Sequence, residues 1–559
     1  MRHPAGWLTL AALCVARTAR AGDINADATN FQAALGSLQP GDTLHLAAGT
    51  YPHLTVSAKN GTATSPIVIE GVAGGATIIA GDESHNTVEI VQSSHVVIRG
   101  LTVDSRGLDG VFGLSAKDGL DNVVHHITVE GCRFIGQGAG QQTVAISTKT
   151  PTWGWVIRGN LVDGAGTGFY LGNSDGQFPF VAGLIEGNVF RNTIGYNGQI
   201  KFQAAWPDGV GLPTGPNRTI LRHNVFIKND QPSPDGDRPN LLIGGSPTSG
   251  PGSSDLYEIH GNFFFHNPRE ALLQVAGRVT VHDNVFVDAK LPAIVAQQHD
   301  VPLVLAHIYN NTIYSQNGGI HLGSAATEAS LVVGNLVLAG TPIDGPLGTS
   351  KDNLTDTFAS ASSYVVAPSF TLGAMDFYPL AGKATGSPLD LSAFASDSDY
   401  GLDFNGTSKG SFTFRGAYAG AGTNPGWKLA DGFKSTGTSG TGGTSGAAGT
   451  GATGGAGGAN TGGTGSGPVG GSGGAGAAGS SGTSGYGGTA GPAGTGGSSA
   501  GSVGAGASGA GPGEPSTAGD TSDDGCGCRE APGTTRPASA GGLLLGLAWL
   551  VGRGRRRCG

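Results

Sequence analysis

The residues of this chain best suited to chemistry lie between positions 199 and 300. Gln199-Ile200-Lys201-Phe202-Gln203 alternates polar and apolar types. A strand of period two would place Gln199, Lys201 and Gln203 on one side, with Ile200 and Phe202 turned inward. Such a row suits recognition of hydroxyls and carboxylates. Asp237, Arg238 and Asn240 follow, then Asp255 and Tyr257, then Glu270, Gln274 and Arg278, and finally His299 and Asp300. Together they could line one longitudinal polar groove. Taking a proton alpha to a carboxylate needs a base, cations to stabilise the enolate-like intermediate, and an acid for the leaving oxygen. Lys201 would be the base if burial lowers its pKa, Arg238 the carboxylate clamp, and Tyr257 or His299 the proton donor. A hydrolase would instead need two opposed carboxylates, drawn from Asp237, Asp255 and Glu270. Trp206 and Tyr196 could stack on sugar rings or anchor loops. A solvated outer face, and salt bridges such as Arg238 with Glu270, are the plainer alternatives. The residues leave all of these open.

The elements that must position these side chains are announced by a repeat. Segments such as VVIRGL (96–101), WVIRGN (155–160), GLIEGN (183–188), YEIHGN (257–262) and VTVHDN (279–284) recur at steps of 22 to 38 residues. Each alternates like a half-buried strand, then turns, and a second short β run follows. Periods of this length mean a solenoid. Three short parallel strands per turn give a right-handed parallel β-helix of the pectin-lyase-like kind. Asn160, Asn188, Asn224, Asn262, Asn284, Asn311 and Asn335 recur at one corner, where Asn tolerates left-handed geometry and stacked amides form a ladder. The Leu-x-x-Leu-x-Leu pattern of the leucine-rich solenoid is absent. The longest steps place insertions after Asn188 and Asn224, around the candidate residues.

Composition bounds the rest. Glycine supplies 103 of 559 residues, charged residues 13%, and the net charge is −9. These values argue against a coiled coil, a helical bundle and a polybasic nucleic-acid binder. Residues 1–21 have the layout of a signal peptide. The solenoid is expected over 22–345, its C-terminal strands and cap over 346–434, and a disordered Gly/Ser/Thr/Ala linker over 435–524. The last segment, 525–559, holds the pair Cys526 and Cys528, an apolar stretch expected to form a short helix, and a terminal Arg cluster. Cys132, the only cysteine in the expected solenoid, should pack as a small apolar residue.

Two resemblances add expectations. Cys pair, apolar helix and Arg cluster, in that order, resemble the myxobacterial C-terminal sorting segment (MYXO-CTERM). This implies secretion, cleavage by a membrane sorting protease, membrane association through the C-terminal segment and display at the cell surface. The stretch NFQAALGSLQPGDTLHLAAGTYPHLTVSAKNGTATSPIVIEG (30–71) resembles the N-terminal coils of the chondroitinase B and alginate lyase group of polysaccharide lyases. That resemblance implies an acidic polysaccharide as partner and β-elimination as chemistry, with Lys201 as base and Arg222 as its assistant. It also implies glutamates holding calcium, but RNTIGYNG (191–198), just before Lys201, contains no carboxylate. No cofactor is expected, and calcium stays open without recognisable acidic ligands. The substrate-binding set is Gln199, Gln203, Trp206, Arg222, Asn240, Glu270 and Gln274. A non-catalytic carbohydrate-binding or structural surface protein, and a uronate C5-epimerase, are the competing readings.

Overall fold

The structure, a computed structural model, describes residues 21–206 and 211–435. Three files of parallel strands wind into a β-helix. The first runs from Asp23–Ala26 to Thr349–Lys351, the second from Gly49–Tyr51 to Leu354–Asp356, and the third starts at Leu54–Ser57 and includes Gly198–Ile200, Leu241–Ile243, Leu273–Val275 and Ile294–Ala296. The expected signal peptide (all but residue 21), the Gly-rich linker and the C-terminal sorting segment lie outside the described residues. Among the described residues no helix is long and apolar enough to cross a membrane.

Alternation decides which side chains enter the solenoid. In the first file Ile98, Val129, Ile157, Ile185, Leu221, Ile259 and Val281 stack in register, all fully buried. The second file stacks aromatic rings: Phe226 lies 4.8 Å from Phe264, and Phe264 lies 4.6 Å from Phe286 with an interplanar angle of 9°. Each such side chain contributes about 1.5–3 kcal/mol by leaving water.

The corner between the first two files is an amide ladder. Asn160 donates its backbone N–H and its Nδ2 to Asn188 Oδ1 at 2.9 and 3.0 Å. Each Asn repeats this on the next, through Asn224, Asn262, Asn284, Asn311 and Asn335 to Asn353. The left-handed residue is not the Asn, as the sequence suggested, but the one before it: Gly159 (φ 62°), Gly187 (62°), His223 (57°), Gly261 (63°) and Asp283 (53°). The Asn itself is freed to turn inward. Cys132 takes the rung before Asn160, its N–H bonded to Asn160 Oδ1 at 2.9 Å, and burial pushes its thiol up to about 12.

Both flanks of the strands are covered. The helix Phe31–Ser37 buries Phe31 and Leu35 over the first coil. The segment after Asp356 runs back along the outside of the second file. There Met375, Phe377, Phe404, Tyr418 and Leu429 pack on Val225, Phe263, Val285 and Leu336. It reaches Arg191, whose guanidinium pairs with Asp431 at 2.9 Å. The sequence suggested a cap over the last open coil; the segment instead covers a flank as well.

Candidate functional site

The third file presents an outward row in strict register: Ser115, Ser147, Tyr170, Gln199, Leu242 and Gln274. One residue further along each strand, the chain leaves the sheet at the same edge. At that edge stand Lys117, Lys149, Gly172 and Lys201, following Ala116, Thr148, Leu171 and Ile200 in their ladder. All three lysines are half-buried, and their coils are spaced by about 4.8 Å. Lys149 lies 5.2 Å from the Tyr170 ring and 5.9 Å from that of Phe112, held as a cation over aromatic faces. Lys117, Lys149, Phe112 and Ser115 line an open hollow, with Glu83 and Asp109 on its rim. Neither Lys117 nor Lys149 has an ion-pair partner among the described residues.

Lys201 does have one. Its Nζ is 3.5 Å from Asp300 Oδ2, and the same oxygen is 3.0 Å from His299 Nδ1. The hydrogen bond from His299, followed by the Lys201 charge, lowers the Asp300 pKa against the opposing effect of burial. Two residues singled out from sequence, Lys201 and His299, thus meet through a third.

A second polar group lies where the chain enters the third file. Arg238 stacks its guanidinium 5.7 Å from the Tyr196 ring and donates to the carbonyls of Asp237 and Asp235. Glu270 accepts from Gln274 Nε2 at 2.9 Å, and burial raises its pKa. Among the described residues, the salt bridge in this group that joins neighbouring stretches is Arg269 on Asp237 at 3.5 Å, and not Arg238 on Glu270, the example the sequence offered as a plainer alternative. Lys228, which the sequence did not single out, donates to the Arg238 carbonyl at 3.0 Å. Burial lowers its pKa to about 8.

Several candidates leave the surface altogether. Tyr257 points into the solenoid, where its hydroxyl accepts from Gln203 Nε2 at 2.8 Å; burial raises its pKa, and it has no route to a substrate. Gln203 also donates to the Phe180 carbonyl at 2.7 Å. The strand ends at Ile200, so the alternation that would have kept Gln203 beside Gln199 is lost. Asn240 is fully buried and accepts from Asn267 at 3.0 Å as a corner residue. Trp206 is buried against Val181 and Leu212, an anchor and not a sugar platform. Arg222 lies on the first file, in an alternating ladder of Glu70, Arg99, Glu130, Arg158 and Glu186, and pairs with Glu186 at 2.9 Å and Asp399 at 3.2 Å. It belongs to a different file from Lys201 and cannot assist it. Gln199 and Gln274 do share one row in register, but only Gln274 is half-buried; Gln199 is 4% exposed and covered.

Lys117 and Lys149 had a usable signal: each directly follows a short strand whose next-to-last residue is polar, Ser115 and Ser147, as Lys201 follows Gln199-Ile200.

No protein-family model and no curated protein matches the sequence. Solved structures do align with it. An alginate lyase from Paenibacillus sp. str. FPU-7 is 15% identical over 60% of this chain and 99% of its own, with a TM-score of 0.34. The A-module of the mannuronan C-5 epimerase AlgE4 from Azotobacter vinelandii is 18% identical over 58% and 93%, with a TM-score of 0.38. The PL6 family alginate lyase AlyGC is 14% identical over 60% and 51%, with a TM-score of 0.34. The chain is a parallel β-helix protein with distant structural similarity to these. At such identities the likeness is one of fold, and activity must be argued from the residues of this chain.

Proposed function

We propose that this β-helix engages an acidic polysaccharide along the outer face of its third file. The observation that carries the reading is the edge of Lys117, Lys149 and Lys201 beside Tyr170, Gln199 and Gln274. Cations recur there at coil spacings, and the half-buried amide of Gln274 lies further along the row, while Gln199 and Tyr170 are themselves covered and back the lysines from within. A linear polyanion laid along the solenoid would meet these groups in succession. The expected leader and sorting segment support a secreted protein displayed at the cell surface, where such polymers occur.

The test is retention of the full chain on alginate, chondroitin and pectin. Binding to at least one is expected, weakening as salt screens the contacts. The Lys149→Ala/Lys201→Ala double variant should lose about tenfold in affinity. No retention on any of the three would overturn the reading.

A second reading, β-elimination or C5-epimerisation at the same face, is favoured by Asp300 lying between Lys201 and His299. A base would take the proton alpha to the uronate carboxylate, and the electron pair would then either expel the glycosidic oxygen or be reprotonated from the other face. An ammonium paired with Asp300 suits the clamp for developing negative charge better than the base. His299, with Nδ1 on Asp300, has Nε2 left to accept the proton. Appearance of unsaturated uronate absorbance, abolished in His299→Ala, is the expected result for elimination. Binding without absorbance, and without change in the uronate epimer ratio, would remove the catalytic reading and leave the binding one standing.

A further inference from the structure

Away from that face, three histidines of the first file without an acidic partner face one another. His45, His53, His85, His266, His299 and His321 each pair with a carboxylate. Among the described residues His95, His125 and His126 do not; they face one another. The strands Ser94–Arg99 and Val124–Glu130 pair with Ser94 opposite His125, which sets His126 one coil beyond His95. Both are left-handed, at φ 51° and 52°, and Gly154 (65°) and Ala182 (54°) continue that file on the next two coils. A bulky residue in this region is uncommon and strained, so its recurrence on consecutive coils is a built feature.

The strain has a geometric consequence. The backbone turn brings the His95 and His126 rings face to face, 4.5 Å apart at 14°. His125 stands across them at 87° and 83°, and its Nδ1 is 2.7 Å from Nδ1 of His126. Trp153 closes the far side of His125, stacked at 4.3 Å and 15°. Gly154 leaves the room: a Cβ there would lie 2.9 Å from His126 Cδ2 and 3.0 Å from Nε2. One ring nitrogen from each of the three histidines lies within 4.8 Å of the other two.

We propose that His95, His125 and His126 form a three-imidazole site for a late first-row divalent cation of the zinc class, with a fourth coordination position open to solvent. Zinc at about 2.1 Å from each nitrogen needs N···N separations near 3.4 Å, within reach of small ring rotations from this arrangement. The set has the softness and count of a site that keeps a water or ligand in the remaining position. Neutral imidazoles are required, and these are favoured. Burial, then the neighbouring imidazoles, lowers His125 to about 4, and burial followed by His95 lowers His126. The sequence pointed to no metal, because residues 30 positions apart in the chain show no recognisable ligand spacing.

The test uses the full chain stripped by chelator and titrated with ZnCl2, followed calorimetrically, with CoCl2 as a spectroscopic substitute. One site is expected, with the intense visible bands of four-coordinate cobalt. His95→Asn and His126→Asn keep a residue that tolerates the left-handed backbone, and each should weaken binding on the order of 100-fold. His53→Asn, at the separate cluster with Asp82 and His85, should leave it unchanged. Absence of zinc binding at micromolar concentration, or equal binding by the His95→Asn/His126→Asn variant, would overturn the proposal. A measurement independent of ligand substitution is copper quenching of tryptophan emission. CuCl2 should quench a share of the fluorescence that Trp153→Phe lacks, and identical quenching in that variant would also overturn it.

Discussion

Asn262 donates both its backbone N–H and its side-chain amide to the single oxygen Oδ1 of Asn284, at 2.9 and 3.0 Å. The same amide also reaches the Leu221 carbonyl at 2.8 Å. One side chain therefore satisfies polar groups on the coils to either side of it, in a corner with no access to water. Strand pairing alone would leave those groups bare where the chain turns.

Asn262→Ala should accordingly be costly. It leaves the Asn224 N–H and one Asn224 amide proton without their acceptor and frees the Leu221 carbonyl. At about 1–3 kcal/mol for each of these three buried groups, a loss of at least about 3 kcal/mol is expected from urea unfolding. Asn353→Ala, at the half-exposed last rung, should cost about 1 kcal/mol because water can replace the lost amide.

How much of this could be read in advance divides along physical lines. The seven asparagines from Asn160 to Asn335 stood out because one corner repeats with every coil, and repetition survives in sequence. Asn353 escaped because the strand before it is short and polar, Thr349–Lys351, without the apolar alternation of its predecessors. Gln203 and Tyr257 were placed outside because polar types usually are. Their mutual hydrogen bond inside the solenoid satisfies both, and no periodicity announces such a pair. The Lys201–Asp300–His299 contact joins residues about 100 positions and three coils apart, close only because the loop after Ile294–Ala296 folds back over the earlier coils. The flank cover after Asp356 has no repeat at all, and its packing was legible only as an end to the pattern.

That cover supplies a second stability test. On the first file His260, His282 and Tyr309 stack at 4.7 and 4.6 Å, and Phe394 continues the stack 4.1 Å from Tyr309 at 7°. Phe394 is 1% exposed. Phe394→Ala should lower stability by about 3–5 kcal/mol, the cost of a large aromatic cavity. Phe394→Leu should recover most of it. A variant as stable as the wild type would show that 391–409 is a loose cover and not part of the cooperative unit.

Lys228 gives a pH test whose sign follows from its burial. Desolvation lowers its folded pKa to about 8, against about 10.4 in an unfolded chain. The folded state therefore binds this proton more weakly. The group's contribution to stability is fully present above about pH 10.4, is lost as pH falls through about 8, and is constant below that. The gap is worth about 3 kcal/mol. Unfolding of wild type and Lys228→Met in urea at pH 7.5 and 10.5 should therefore differ in slope, with only the wild type gaining this increment at the higher pH.

Asp300 separates binding from chemistry at the proposed polysaccharide face. Asp300→Asn keeps an oxygen that can accept from His299 Nδ1 but removes the charge opposing Lys201. The Lys201 cation is then more available to a uronate carboxylate, so affinity for acidic polysaccharide should rise by about two- to fivefold, the size of one half-exposed ion pair. Proton transfer should move the other way. A neutral amide neither holds the imidazole tautomer as firmly nor stabilises an imidazolium, so any turnover should fall by on the order of 100-fold. Titration of binding alongside the rate of unsaturated uronate formation reads both. Tighter binding with slower turnover is the pattern expected of a clamp and a proton acceptor sharing one carboxylate. If affinity falls instead, Asp300 contributes to the substrate site directly, and Lys201 is not the carboxylate clamp.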